Sequence, residues 1–151
     1  MKVSLTPGAL KKFRRTSWRF QQTFECPQPS DSENFISTIV VANSELKNGT
    51  LRIDRVIFNA EKMMELCPGS NFAHDTSISA DSANDSSALL FAAFWDGYDF
   101  IFVPAPKPFV FYADHDGWIT FYANTKSNLN QIIEPLAAKG YKMIQNWQQE
   151  L

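Results

Sequence analysis

Between Leu89 and Ala123 the chain is a series of short aromatic and aliphatic runs cut by turn and breaker residues, and this punctuation limits what it can fold into. Residues 89–95 read as a strand, Asp96-Gly97 as a tight turn and residues 98–103 as the returning strand. Pro104, Pro106 and Pro108 then form a stiff link that cannot donate ladder hydrogen bonds. Residues 109–113 read as a third strand, Asp114-His115-Asp116-Gly117 as a second turn, and residues 118–123 as a fourth strand. The pattern predicts a meander of hairpins rather than βαβ units.

The flanking segments read as helices. Thr6-Pro7 predicts a helix start, Thr capping free amides and Pro fitting the first turn. Leu10, Phe13, Phe20 and Phe24 fall near helical spacing, with Ser17 interrupting the face and Lys11, Lys12, Arg14 and Arg15 mostly pointing elsewhere. This is a basic amphipathic helix, stopped by Pro27 and Pro29. Ser30 to Glu33 suggests a capping box, after which Phe35, Ile36, Ile39 and Val40 recur at three and four. Helix is preferred there, although Ile39, Val40 and Val41 also permit a strand. Asn48-Gly49 breaks the chain. Ile53, Val56, Ile57, Ala60, Met63, Met64 and Cys67 then occupy one helical face, with Thr50 as cap and Pro68-Gly69 as end. A strand over 51–58 is the rival, and its alternation fails at Val56-Ile57-Phe58.

Residues 69–87, rich in Ser, Asp and Asn, read as a long polar connection, functional or mobile. Asn124 or Thr125 begins a last helix whose apolar face is Leu129, Ile132, Ile133, Leu136 and Ala137; Pro135 invites a kink and Gly140 ends it. Residues 141–147 close as an edge strand. The expected fold is α+β: a helical N-terminal half packed on an antiparallel β-meander of four or five strands, with one C-terminal helix, residues 1–151 forming one domain. A split into two subdomains near 69–87 is the alternative.

Composition adds bounds. Apolar residues make up 44% and aromatic residues 14%, enough for a core. There is no apolar run of about 18 residues to span a membrane, and no apolar segment follows the N-terminal lysines as in an export signal. The expected location is the cytoplasm, where Cys26 and Cys67 stay free thiols. Neither cysteine forms a metal motif with His74 or His115.

Charge is unevenly placed although the net is only −2. From Cys67 to Trp118 there are seven aspartates (Asp75, Asp81, Asp85, Asp96, Asp99, Asp114, Asp116) against Lys107. The first thirty residues carry six cations (Lys2, Lys11, Lys12, Arg14, Arg15, Arg19) against Glu25. Such asymmetry favours a charged partner or an ordered charged surface. In a simple meander the two Gly turns leave the sheet at one end. Trp95, Asp96, Tyr98, Asp99, Asp114, His115, Asp116 and Trp118 then gather there as the candidate protein-binding residues. Carboxylates steer and pair with Lys and Arg, and aromatic rings bury area with little entropy loss.

The function expected is a small protein-binding protein, an inhibitor or immunity-type protein that masks a basic partner by steric blocking. No catalytic residue, cofactor or metal is assigned. One alternative is a hydrolase or metal-assisted enzyme using His115 and nearby aspartates. Against it, no nucleophile elbow, phosphate loop or histidine-rich metal motif occurs. Asp75, Asp81 and Asp85 are too sparse for a calcium loop. The other alternative is a structural or assembly subunit, with homo-oligomer contacts through the sheet edge or aromatic residues. Nucleic acid is not the expected partner: Lys11, Lys12, Arg14, Arg15, Arg19 and Trp18 make a modest cluster in a chain of pI 5.6.

Overall fold

A computed structural model describes residues 1–42, 46, 48–106 and 109–144. Lys107 and Pro108, and residues 145–147 of the expected edge strand, lie outside the described residues. The elements run β1 (Lys2–Leu5), α1 (Ala9–Arg15), β2 (Phe20–Glu25), α2 (Ser32–Ala42), β3 (Asn48–Arg55), α3 (Glu61–Leu66), β4 (Thr76–Ala80), α4 (Ala83–Asp96), β5 (Asp99–Ala105), β6 (Val110–Ala113), β7 (Trp118–Ala123), α5 (Lys126–Ala138) and β8 (Met143–Ile144). The strands form one eight-stranded sheet in the order β1-β4-β3-β5-β6-β7-β2-β8. Every pairing in it is antiparallel. The fold is α+β, with helices interleaved in sequence with the strands rather than gathered in an N-terminal half.

The meander survives as β5-β6-β7, where alternation and turn chemistry agree. Phe100, Phe102, Phe111, Ile119 and Phe121 point to one face and are fully buried. Their rings contact one another, Phe111 lying 5.5 Å from Phe102 and 5.3 Å from Phe121 between centroids. The α2 side chains Phe35, Ile36 and Ile39, with α4's Leu89 and Leu90 and α5's Leu129, Ile132 and Leu136, complete this core. α1 alone supplies a second, smaller cluster, Leu10 and Phe13 against Ile101, Val110 and Tyr122. Ile101 alternates with Phe100 and Phe102 along β5, so α1 covers the opposite face of the sheet.

Six expectations are corrected. Residues 89–95 are not a strand but the last half of α4, started by the Ser82 hydroxyl, which accepts from the Asp85 amide. Its buried residues, Ser86, Leu89, Leu90, Ala92, Ala93 and Asp96, have helical spacing, so a continuous apolar run here belongs to a buried helix. Asp96-Gly97 is therefore not a hairpin turn: Gly97, at φ 74°, ends the helix by donating to the carbonyls of Ala93 and Phe94.

The helix over 50–67 resolves into β3 and α3. Leu51 and Ile53 alternate into the core, and Val56-Ile57-Phe58 breaks the alternation because the strand has already ended at Arg55. Asn48-Gly49 opens β3 instead of breaking the chain. A Cβ on Gly49 would lie 2.4 Å from Cζ of Phe102, so any side chain there would have to displace that buried ring.

The N-terminal helix is only α1, flanked by two strands. Phe20, Gln22 and Phe24 alternate with Gln21 and Thr23, and β2 pairs along its whole length with β7. The polar connection over 69–87 contains β4, whose Ile78 and Ala80 face the core while Ser77 and Ser79 face α1's side. α2 and α5 are found where periodicity placed them, with Thr125 capping α5 through the Asn128 amide, Pro135 inside it and Gly140 just past its end. Both cysteines are free.

Candidate functional site

The end of α4 and the start of β5 bring Trp95, Asp96, Tyr98 and Asp99 to the end of the sheet where the β6–β7 turn emerges. The contact that joins the two segments is specific. Asp99 Oδ1 accepts from the His115 backbone amide at 2.7 Å and lies 2.8 Å from its Nδ1. A carboxylate oxygen only accepts, so Nδ1 carries the proton. Nε2 is left facing outward, 3.4 Å from Asp116 Oδ1. The hydrogen bond to Asp99 raises the His115 pKa above its ordinary value; the charges of Asp99, Asp116 and Asp114 add to this and desolvation opposes it.

The turn itself is held by Asp114, whose Oδ1 accepts from the amides of Asp116 and Trp118 at 2.9 and 3.3 Å. Gly117 sits at φ 97°, where a side chain would be strained. Burial raises the Asp114 pKa, and the two amides only partly counter it. The Gly117 carbonyl accepts from the Cys26 amide at 2.7 Å, which draws the chain leaving β2 against the turn.

Convergence of the two turns is thus present, but the acids divide by role. Asp96 is 4% exposed, and its two oxygens accept from the amides of Lys62 and Met63 at 3.0 and 2.9 Å. It caps the N-terminus of α3 from another helix, where Ala60 offers no side-chain cap. Asp99, 6% exposed, is committed to His115. Tyr98 is buried as well. The carboxylate that faces solvent is Asp116, its side chain 72% exposed.

The outer members surround a concavity of about 280 Å³ lined by Phe58, Trp95, Tyr98, His115, Asp116 and Cys26 among others. Phe58 is 71% exposed and Trp95 45%. The Trp95 ring is steadied by Phe91 at 5.8 Å and by the Lys62 ammonium at 5.6 Å. Trp118, at the start of β7, is exposed beside the same turn. Phe58 and Cys26 were not foreseen as site residues. The failed alternation at Val56-Ile57-Phe58 was a usable signal for the first.

Chemically, a carboxylate-held imidazole facing a concavity is the arrangement of a general base. Its neighbours are not activated nucleophiles. Burial, with the Asp114 charge second, pushes the Cys26 thiol up to about 12. Burial, with Asp96 second, raises the Tyr98 phenol too, and its hydroxyl has no partner among the described residues. Among the described residues no group of three or more His, Cys, Asp or Glu side chains is placed to hold a metal ion. No described helix is long and apolar enough to cross a membrane. No family model matches the chain, nor does any curated protein or any solved structure.

Proposed function

We propose that this protein binds another protein, masking a basic partner as an inhibitor or immunity-type protein does, through the sheet end built from the α4–β5 junction and the β6–β7 turn. The observation that carries the reading is one concavity bordered by exposed Phe58, Trp95 and Asp116, braced from behind by the Asp99–His115 contact. Large rings held outside a core invite burial by a partner. The buried acids Asp96 and Asp99 act as braces. Direct contact falls to Trp95, Asp116, Trp118 and Phe58, with His115 at the rim and Asp114 shaping the turn.

The experiment is affinity capture from the native cell with the wild type, Trp95→Ala and Asp116→Lys. One reproducible basic partner is expected, and each substitution weakens its binding by roughly 30-fold, a hot-spot effect of about 2 kcal/mol. Capture unchanged by both substitutions, in folded variants, contradicts the proposal.

The His115–Asp99 pair supports a second reading, a hydrolase in which water is activated by Nε2. His115→Gln separates the two: loss of turnover on a supplied substrate belongs to the enzyme, loss of capture alone to the binder.

A further inference from the structure

The opposite face of the sheet carries a second cleft, of about 420 Å³, between α1 and strands β3, β5 and β6. That volume lies within the roughly 300–1,000 Å³ of small-molecule sites. Its apolar part is Phe13, Val103 and Val110, with the ring of Trp18 along one side. Trp18 is fixed by its neighbours, 5.9 Å from Phe13 and 6.1 Å from Tyr122 between centroids. Among the described residues the cleft's charged groups are both cations, Lys12 from α1 and Arg52 from β3.

Arg52 is aimed by two hydroxyls: its Nη1 donates to Thr6 and Ser77 at 3.2 and 3.0 Å. Hydroxyls do not neutralise it, and among the described residues no carboxylate lies within ion-pair distance of Arg52 or Lys12. The contrast is Arg14 on the same helix, which is paired with Asp54. One more donor is idle: the Trp18 indole nitrogen is buried and has no acceptor among the described residues. Buried N–H groups almost always have one.

We infer that this cleft binds a small organic anion, an oxyanion head held by Arg52 and Lys12 on a planar apolar body that lies along Trp18, Val103 and Val110. A charge-assisted bond to Arg52 and Lys12 suits carboxylate or phosphate equally. The flat wall requires a body, so inorganic phosphate alone is a poor occupant. This site is independent of the protein-binding end and does not rest on it.

The test is calorimetry with four probes at low salt: 2-naphthoate, 2-naphthyl phosphate, neutral 2-naphthylmethanol and inorganic phosphate. One or both naphthyl anions are expected to bind, the two arms identifying the preferred head group, while the neutral and bodiless probes do not. Lys12→Gln, at an exposed position with no ion-pair partner among the described residues, and Trp18→Phe, which deletes only the idle donor and part of the ring, should each weaken binding roughly tenfold. Arg52→Gln should weaken it more, with circular dichroism confirming the fold because Thr6 and Ser77 lose their donor. Failure of both naphthyl anions to bind, equal binding of the neutral probe, or wild-type affinity in Lys12→Gln and Arg52→Gln overturns the inference.

Discussion

Asp96→Ala is expected to cost about 3 kcal/mol of folding stability, a large loss for one carboxylate outside the apolar core. α3 has only six residues, too few to stand without help. Its first turn presents the amides of Lys62 and Met63, and both are satisfied by Asp96 from the end of α4. Alanine leaves two amides without acceptors, the Met63 one buried, and among the described residues removes a link between the end of α4 and the start of α3 that is both charged and hydrogen-bonded. Asn should recover part of this, since its carbonyl accepts from one amide while its NH₂ opposes the other; a loss of about half is expected. Urea unfolding with an unchanged slope checks both values. A loss under about 1 kcal/mol for Asp96→Ala would show that the cap is not formed in solution.

Asp99→Ala should be comparably severe, about 3 kcal/mol, and should also weaken the proposed partner binding. Two donors of His115 lose their shared acceptor, and the β6–β7 turn loses its tie to β5. This pair also gives the protein a pH signature. The folded-state pKa of His115 is raised above 6.5, chiefly by the bond to Asp99. A raised histidine stabilises the fold fully below its unfolded pKa, and that contribution is lost as pH rises through the folded value. The stability gap between wild type and His115→Gln should therefore be widest below about pH 6.5 and shrink as pH rises above it. A gap that is flat or grows with pH contradicts the pairing.

Much of this was legible in the sequence where one signal acted alone. β5, β6 and β7 alternate cleanly between breakers, and α5 has a cap, a face and an end. Errors fell where two periods fit. Residues 89–95 are apolar without interruption, which suits a buried strand and a buried helix equally; the deciding cue was Ser82 followed three residues on by Asp85. Ile53, Ala60 and Met63 happen to continue one helical face across a strand, a loop and a short helix. β2 and β4 were hidden because their second face is Gln, Thr and Ser, so half of each strand resembled a loop.

The site was half legible for a related reason. Both turns contain a glycine at positive φ, and both leave the same end of the sheet, although one of them ends a helix. What composition could not reveal was the use of each carboxylate. Asp96 meets Lys62 and Met63, and Asp99 meets His115, only through the tertiary fold. Aspartates that looked like a rim proved to include two internal braces, and the exposed Phe58 came from a segment read as helix.

The most direct test of the account is a nitrogen-detected NMR titration of the His115 imidazole, assigned with the His74→Gln variant as reference. A proton on Nδ1 in the neutral ring, with a pKa above 6.5 that falls back towards 6.5 in Asp99→Asn, is the expected result. A proton on Nε2, or a titration that Asp99→Asn leaves unchanged, would mean that the α4–β5 junction and the β6–β7 turn do not meet and that the proposed binding surface is not formed.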